Sequence, residues 1–464
     1  MMHVDVLVAE IGSTTTLVNA FQDVSGAAVF WGQGQAPTSV LQGDVRVGLQ
    51  GAIDALCRAK GVPSIEYGEM LATSSAAGGL KMTVHGLVYD MTARAAKEAA
   101  LGAGAIIHQI TAGPLRRSDM ERLKEIKPNL IMLAGGVEHG ERETALSNAE
   151  KIVALGLSIP VIYAGNSDNN EEIKLIFNGS SAKLYIVENV YPKIDDLNVE
   201  PARKVIQAAF EEHIVHAPGM ENVRDMVSGP IVPTPGAVME CAKLLYNEIG
   251  DLAVLDVGGA TTDLHSVTDG AEEIARISTA PEPQAKRTVE GDLGVYVNMK
   301  NVAALIGAEK LEAELGFPLE EVTLNYKPVP ETANEVKYVE RLTLEAVLRA
   351  VERHAGRIRH LYGPSGRVTI AEGKDLTQVK YIIGTGGALT RLPRRVEIMR
   401  AIAKHNENGT LLFPPETAGI LVDNDYIMAS LGALSKRYPE AAARLLKKSL
   451  GLDSDKKILE EQNG

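Results

Sequence analysis

Val254-Leu255-Asp256-Val257-Gly258-Gly259-Ala260-Thr261-Thr262-Asp263 decides the reading of this chain, because an earlier stretch echoes it: Val8-Ala9-Glu10-Ile11-Gly12-Ser13-Thr14-Thr15-Thr16. Each begins as an apolar run that reads as a buried strand. Each sets a carboxylate at the strand's end, then glycine, then hydroxyls. Glycine lets backbone approach an anion closely, and consecutive N–H groups form an anion-binding nest. Hydroxyls donate to phosphate oxygens, and a carboxylate can hold a hydrated divalent cation. One such turn is a weak signal. Two, far apart, predict two related half-molecules gripping one polyphosphate between them.

The flanks give each turn its setting. Residues 5–21 read as a strand, the turn and a second strand, Leu17–Phe21, with Ala28–Gly32 extending the sheet. This is a β-hairpin across a phosphate site. A P-loop instead runs into a helix and needs Gly-Lys-Ser/Thr, which Gly12-Ser13-Thr14 lacks. Leu264–Val267 closes the second hairpin. A third glycine loop, Gly384-Thr385-Gly386-Gly387-Ala388-Leu389, follows the apolar run Leu376–Ile383. Asp44–Lys60 has helical spacing, and Tyr67–Ser74 is a strand leading to the small-residue turn Ser74–Leu80.

Between the two hairpins the pattern alternates. Helical segments are expected at Asp90–Leu101, Ser118–Glu125, Glu143–Ala154 and Asn169–Phe177. Strands are expected at Ala105–Ile110, Leu130–Leu133, Pro160–Ala164 and Lys183–Val187. Strands separated by helices imply a parallel sheet with right-handed crossovers, a Rossmann-like or flavodoxin-like module. Ala134-Gly135-Gly136-Val137-Glu138-His139-Gly140 follows one of its strands, where ligands tend to bind in such sheets. Residues 196–228 read as mainly helical. Pro233 and Pro235 break the chain, and Ala237–Glu248 resumes as a helix crossing between domains. Residues 279–291, charged and proline-bearing, are expected to be exposed or mobile, with Glu290–Gly294 a loop near the nucleotide. Residues 297–315 and 336–361 are expected to be helical, another helix to begin near Asp425, and the charged tail to fray.

The 464 residues suit two or three domains, and 45% hydrophobic content suits an ordinary globular protein. A net charge of −13 argues against general nucleic-acid binding, and 4% aromatic residues against a base-stacking surface. The start, Met1-Met2-His3-Val4-Asp5, runs straight into a strand, so no signal peptide is expected, and no apolar run is long enough to span a bilayer. Cys57 and Cys241 are distant from each other. That fits a reducing cytoplasm and excludes a cysteine-ligated iron–sulfur cluster within one chain.

The order of the three elements, 8–16, 254–263 and 382–389, resembles the superfamily of acetate and sugar kinases, heat-shock proteins and actin. More narrowly, four segments resemble the MutL/GlmL family encoded beside glutamate mutase: Glu10–Thr16, Ala134–Val137, Val257–Asp263 and Gly384–Leu389. That family is unrelated to the mismatch-repair protein sharing the name. The resemblance implies an α/β fold of two ribonuclease-H-like (actin-like ATPase) domains with an inserted Rossmann-like α/β module. The expected parts are a first half beginning at 1–85, the module at 86–230, a connecting helix at 231–250, a second half at 251–435 and a helical tail at 436–464.

It also implies ATP and Mg²⁺ as cofactors, and a role as a chaperone-like reactivating factor for an adenosylcobalamin-dependent mutase or aminomutase, of the glutamate mutase or ornithine aminomutase type. A homodimer is left open. Glu10, where most of the superfamily has Asp, and Asp256 would flank Mg²⁺, with Asp256 orienting the attacking water. Gly12, Ser13, Thr14, Thr15, Gly258, Gly259, Thr261 and Thr262 would bind phosphates. Gly384, Gly386, Gly387 and Ala388 would receive the adenosine. Two other readings compete: a small-molecule kinase, and a non-catalytic actin-like assembly protein. Asp263-Leu264-His265-Ser266-Val267-Thr268 resembles the start of a cobalamin-binding signature, but Thr268 replaces the required glycine, and His265 reads as an ordinary strand residue.

Overall fold

In a computed structural model of the chain, the described residues are 2–12, 14–39, 42–75, 80–214, 219, 220, 222–324, 326–363, 366–406 and 409–452. The chain lays down β1 (Met2–Ile11), β2 (Thr15–Gln22), β3 (Val29–Pro37) and β4 (Ile65–Ser74). It then forms β5 (Lys81–Gly86), β6 (Ile106–Ala112), β7 (Leu130–Leu133), β8 (Val161–Tyr163), β9 (Leu184–Ile186) and β10 (Ile231–Pro233). The second half contributes β11 (Leu252–Val257), β12 (Thr262–Val267), β13 (Ala285–Glu290), β14 (Arg357–Gly363), β15 (Gly366–Glu372), β16 (Tyr381–Thr385) and β17 (Gly419–Val422).

Two five-stranded sheets share one plan: β3-β2-β1-β4-β10 and β13-β12-β11-β16-β17. In each, the first strand is central. An antiparallel meander lies on one side, and two parallel strands lie on the other. This is the ribonuclease-H-like order, met twice, and it makes the fold actin-like. The third five-stranded sheet, β6-β5-β7-β8-β9, is parallel throughout. Its order is the flavodoxin-like one, and it is spliced between β4 and β10 of the first half.

Packing divides the molecule differently from the sheets. One apolar core joins β1 to the module through Leu7, Met82, Ala96, Ala99 and Ile206. A second lies inside the second half, around Leu255, Leu342 and Met399. A third contains Val6 and Val8 of the first sheet, Val254 and Ile383 of the second, and two helices between them. Those helices are Thr234–Ile249 and Met428–Leu434. Pro235 sits in the first turn of the former, where its missing N–H costs no hydrogen bond. The two cross so closely that a Cβ on Gly432 would stand 2.0 Å from the Ala237 carbonyl oxygen.

Three expectations are corrected. Residues 336–361 are not one helix: the helix Ala333–His354 stops and β14 follows. Ala355 is extended, and a Cβ on Gly356 would stand 2.5 Å from the Glu372 carbonyl oxygen, so backbone pairing takes over. Residues 279–291 are not simply exposed: Ala285, Lys286 and Arg287 of β13 are buried, because their charges are met inside. Within 196–228 the helix is Glu200–Ile214, and the residues described beyond it form turns and bends. Within the described residues the tail forms the helix Pro439–Ser449, whose Ala442, Leu445 and Leu446 enter the third core. The expected turn at Ser74–Leu80 falls partly outside the described residues.

Gly432→Ala should force the two crossing helices apart. Overpacking of this kind costs about 1–3 kcal/mol, and a thermal melt should show a clear fall in midpoint. An unchanged melt would mean that the crossing is looser than the geometry shows.

Candidate functional site

Both hairpins turn in the same way. Gly12 N–H donates to the Thr15 carbonyl at 2.9 Å, and Gly258 N–H to the Thr261 carbonyl at 3.0 Å. Glu10 and Asp256 occupy the same place, two residues before each glycine. Thr14, Thr15, Gly258, Gly259 and Thr261 are half-buried around the turns, while Ser13 lies outside the described residues. Thr262 differs from expectation. It is fully buried, and its hydroxyl donates to the Leu293 carbonyl at 2.8 Å, so it is spent on holding a neighbouring loop. Its counterpart Thr16 is likewise buried and shares a 3.0 Å hydrogen bond with the Thr38 hydroxyl.

That neighbouring loop wraps the second turn. Val295 N–H donates to Gly258, and the Tyr296 and Val297 N–H groups to Gly259. Asn298 donates to the Ala260 carbonyl at 2.7 Å. Gly294 lies so close that a Cβ would stand 2.2 Å from the Ala260 carbonyl carbon.

The third glycine loop meets the second hairpin directly. Thr385 pairs with Asp256 across β16 and β11. Gly386 has φ +78°, and a Cβ there would stand 2.4 Å from Asp256 Oδ1. Only glycine suits a position with both constraints. Gly387 is exposed with open space where a Cβ would be, whereas Gly384 packs on Met399 and Ala388 is buried in the second-half core.

Three strand-end carboxylates converge here, and sequence reasoning singled out two. The third, Asp423, is fully buried just past β17. It accepts from the Thr385 hydroxyl at 2.9 Å, the Ser449 hydroxyl at 2.7 Å and the Met428 N–H at 2.9 Å. The apolar run Ile420-Leu421-Val422 ending in a carboxylate is the same signal that marked Glu10 and Asp256. Glu10 accepts from Asn19 at 3.1 Å, and from the Ser430 N–H at 3.0 Å and hydroxyl at 2.5 Å. Asn19 in turn receives a bond from Gln33, which accepts one from Arg391 of the second half.

Burial pushes the Glu10 carboxyl up to about 7, with Asp423 adding to the rise against the Ser430 hydrogen bonds. Burial likewise pushes Asp256 up to about 7, with Asp263 and Glu10 adding to it and Arg287 opposing. Crowded, desolvated carboxylates resist ionising until a cation or donor arrives. No group of three or more His, Cys, Asp or Glu among the described residues could hold a metal unaided. Two carboxylates do suit Mg²⁺, which takes its other ligands from phosphate and water.

The remaining sequence features resolve simply. His265 is an ordinary β12 residue, fully buried, and desolvation holds its imidazole well below the usual range. Cys57 and Cys241 are both free and buried. No helix among the described residues is long and apolar enough to cross a membrane.

Two matched ribonuclease-H-like halves around a glycine-and-carboxylate cleft define an actin-like ATPase-fold protein. The chain belongs to the MutL protein family, whose model matches residues 6–450. It is 36% identical to Protein MutL of Clostridium tetanomorphum over 459 residues, 96% of this chain and 98% of that protein. Among solved structures, a nucleotide-free acetone carboxylase aligns with 94% of this chain and 70% of its own, at TM-score 0.41 and 13% identity. A glycerol dehydratase reactivase aligns with 93% and 99%, at TM-score 0.28 and 12% identity. The fold itself stands on the strand order.

A carboxyl whose folded pKa is raised contributes stability below its unfolded value and loses it as pH climbs through the folded one. Glu10 should therefore cost stability progressively from about pH 4.5 to about pH 7. Glu10→Gln should remove that cost, so its melting midpoint should gain on the wild type across this window. The full gain corresponds to about 3 kcal/mol. A gap independent of pH would contradict the raised value.

Proposed function

We propose that the cleft binds ATP with Mg²⁺ and that hydrolysis drives domain closure in a chaperone-like factor. The factor would release damaged cobalamin from an adenosylcobalamin-dependent mutase or aminomutase. The observation that carries the nucleotide reading is the duplicated hairpin, each copy ending its strand in a carboxyl raised to about 7 beside a half-buried glycine turn. Family membership supports the wider role.

When bound, Mg²⁺ would neutralise charge developing on the phosphate oxygens. Glu10 and Asp256 would hold it. Gly12, Thr14, Thr15, Gly258, Gly259 and Thr261 would position the β and γ phosphates through N–H groups and hydroxyls. Asp256 would orient the attacking water. Gly386 and exposed Gly387 would let adenosine lie against backbone. The longer Glu10 side chain suits slow, regulatory turnover, because it reaches one methylene further than Asp. Ser430 ties this carboxylate to a helix of the layer shared by both halves, so ligand chemistry at Glu10 acts directly on closure. The inserted module supplies a surface for the enzyme partner.

Asp256→Asn should lower ATP turnover by about 10²–10⁴-fold, the range for a positioned acid–base group; unchanged turnover would remove Asp256 from the site. For the wider role, a mutase or aminomutase inactivated with hydroxocobalamin is incubated with this protein, free adenosylcobalamin and ATP. Activity should return with ATP and fail to return with a non-hydrolysable analogue. A phosphorylated metabolite in place of recovery would instead indicate a kinase.

A further inference from the structure

The module meets the second half along a seam held by charges. Lys374 pairs with Glu98 at 3.4 Å, and Arg94 pairs with Glu282. Arg203 donates to the Ala285 carbonyl at 2.9 Å. One member of this seam reaches further than the rest. Arg287, 1% exposed, donates through Nε at 2.9 Å and Nη2 at 2.5 Å to Asp263 Oδ1. Its Nη1 donates to the carbonyls of Leu101 at 3.1 Å and Ala105 at 3.3 Å. Leu101 is in the last turn of the helix Arg94–Gly102, and Ala105 leads into β6, so the guanidinium caps the end of a module helix. A cation there also meets the negative end of the helix dipole.

On its other side Asp263 touches the second phosphate turn. Its Oδ2 accepts from the Thr261 hydroxyl at 3.2 Å, and Asp263 stands directly opposite Asp256 in the β11–β12 pair. A continuous path therefore runs from the Thr261 hydroxyl through Asp263 and Arg287 to the module backbone. We infer that Arg287 is a positioning residue that couples the phosphate turn to the inserted module. The inference rests on the reading that the cleft binds nucleotide.

The physical reason is that a buried ion pair cannot separate cheaply. Leaving one partner unpaired in the interior is strongly destabilising, so Asp263 and Arg287 move as a unit. A phosphate that draws the Thr261 hydroxyl away from Asp263 alters what Asp263 offers Arg287. Arg287 must then change its hold on Leu101 and Ala105. The other ties at the seam do not touch the turn.

The test is hydrogen–deuterium exchange of residues 94–105 with and without a non-hydrolysable ATP analogue plus Mg²⁺, alongside a separate measurement of nucleotide binding. In the wild type, nucleotide should change exchange there by about fivefold or more, the lower end of ordinary allosteric coupling. Arg287→Met should bind nucleotide and lose that response. Arg287→Lys should lose most of it, since an ammonium cannot span Asp263 and two carbonyls together. Arg94→Met, which breaks a tie at the same seam away from the turn, should keep it. If Arg287→Met fails to fold, Asp263→Asn at saturating nucleotide gives the same reading, because it weakens the pair while leaving Arg287 in place. A full response in any folded Arg287 variant would overturn the coupling. So would a wild type that binds nucleotide without a change at 94–105. A wild type that binds no nucleotide would instead sink the nucleotide reading, and the coupling with it.

Discussion

Everything in this molecule hangs on the close crossing of two helices, Thr234–Ile249 and Met428–Leu434, at Ala237 and Gly432. Both main sheets bury one face against this layer, with Val6 and Val8 on one side and Val254 and Ile383 on the other. The layer is apolar and tightly packed, so the halves cannot part there without exposing apolar surface. The closure proposed above would therefore be rotation or sliding about it. The cleft carboxylates sit at the strand ends next to this layer, which is why Glu10 can bond to Ser430 of one of its helices.

A second contact, between the module and the second half, is of the opposite kind. The seam with the module is tied by Arg94, Lys374, Arg203 and Arg287 and their acceptors. Polar seams of this sort are sensitive to charge and hydration, whereas an apolar layer is not. An apolar pivot on one side and a polar seam on the other would suit the cleft closure proposed above.

Most of the layout is legible in the sequence. The two hairpins declared themselves because glycine, hydroxyl and carboxylate fall at matching steps after apolar runs. The module declared itself because helix and strand periodicities differ. What stayed hidden depends on distant pairing. Arg287 sits in a stretch whose charge and prolines suggest solvent, and only Asp263 and two module carbonyls explain its burial. Thr262 looks identical to Thr261 in sequence, yet strand alternation turns its hydroxyl away to Leu293. Asp423 carried the same strand-end signal as Glu10 but lacked the following glycine, so nothing local set it apart. The end of the helix at His354 was concealed because Arg357–Gly363 is rich enough in large side chains to pass for another turn of helix.

The hydrogen bond between Glu10 and Ser430 joins residues 420 positions apart. A ribosome adding roughly 5–20 residues per second needs about 20–80 s to make that span. Throughout that interval Glu10 has no Ser430 to meet and the apolar face of β1 lacks the helix that covers it; Thr234–Ile249, once made, waits for the same helix. The nascent chain therefore carries a half-built hinge through much of the second half of its synthesis. A protein proposed to help another enzyme recover would thus expose hinge surface of its own while it is being made.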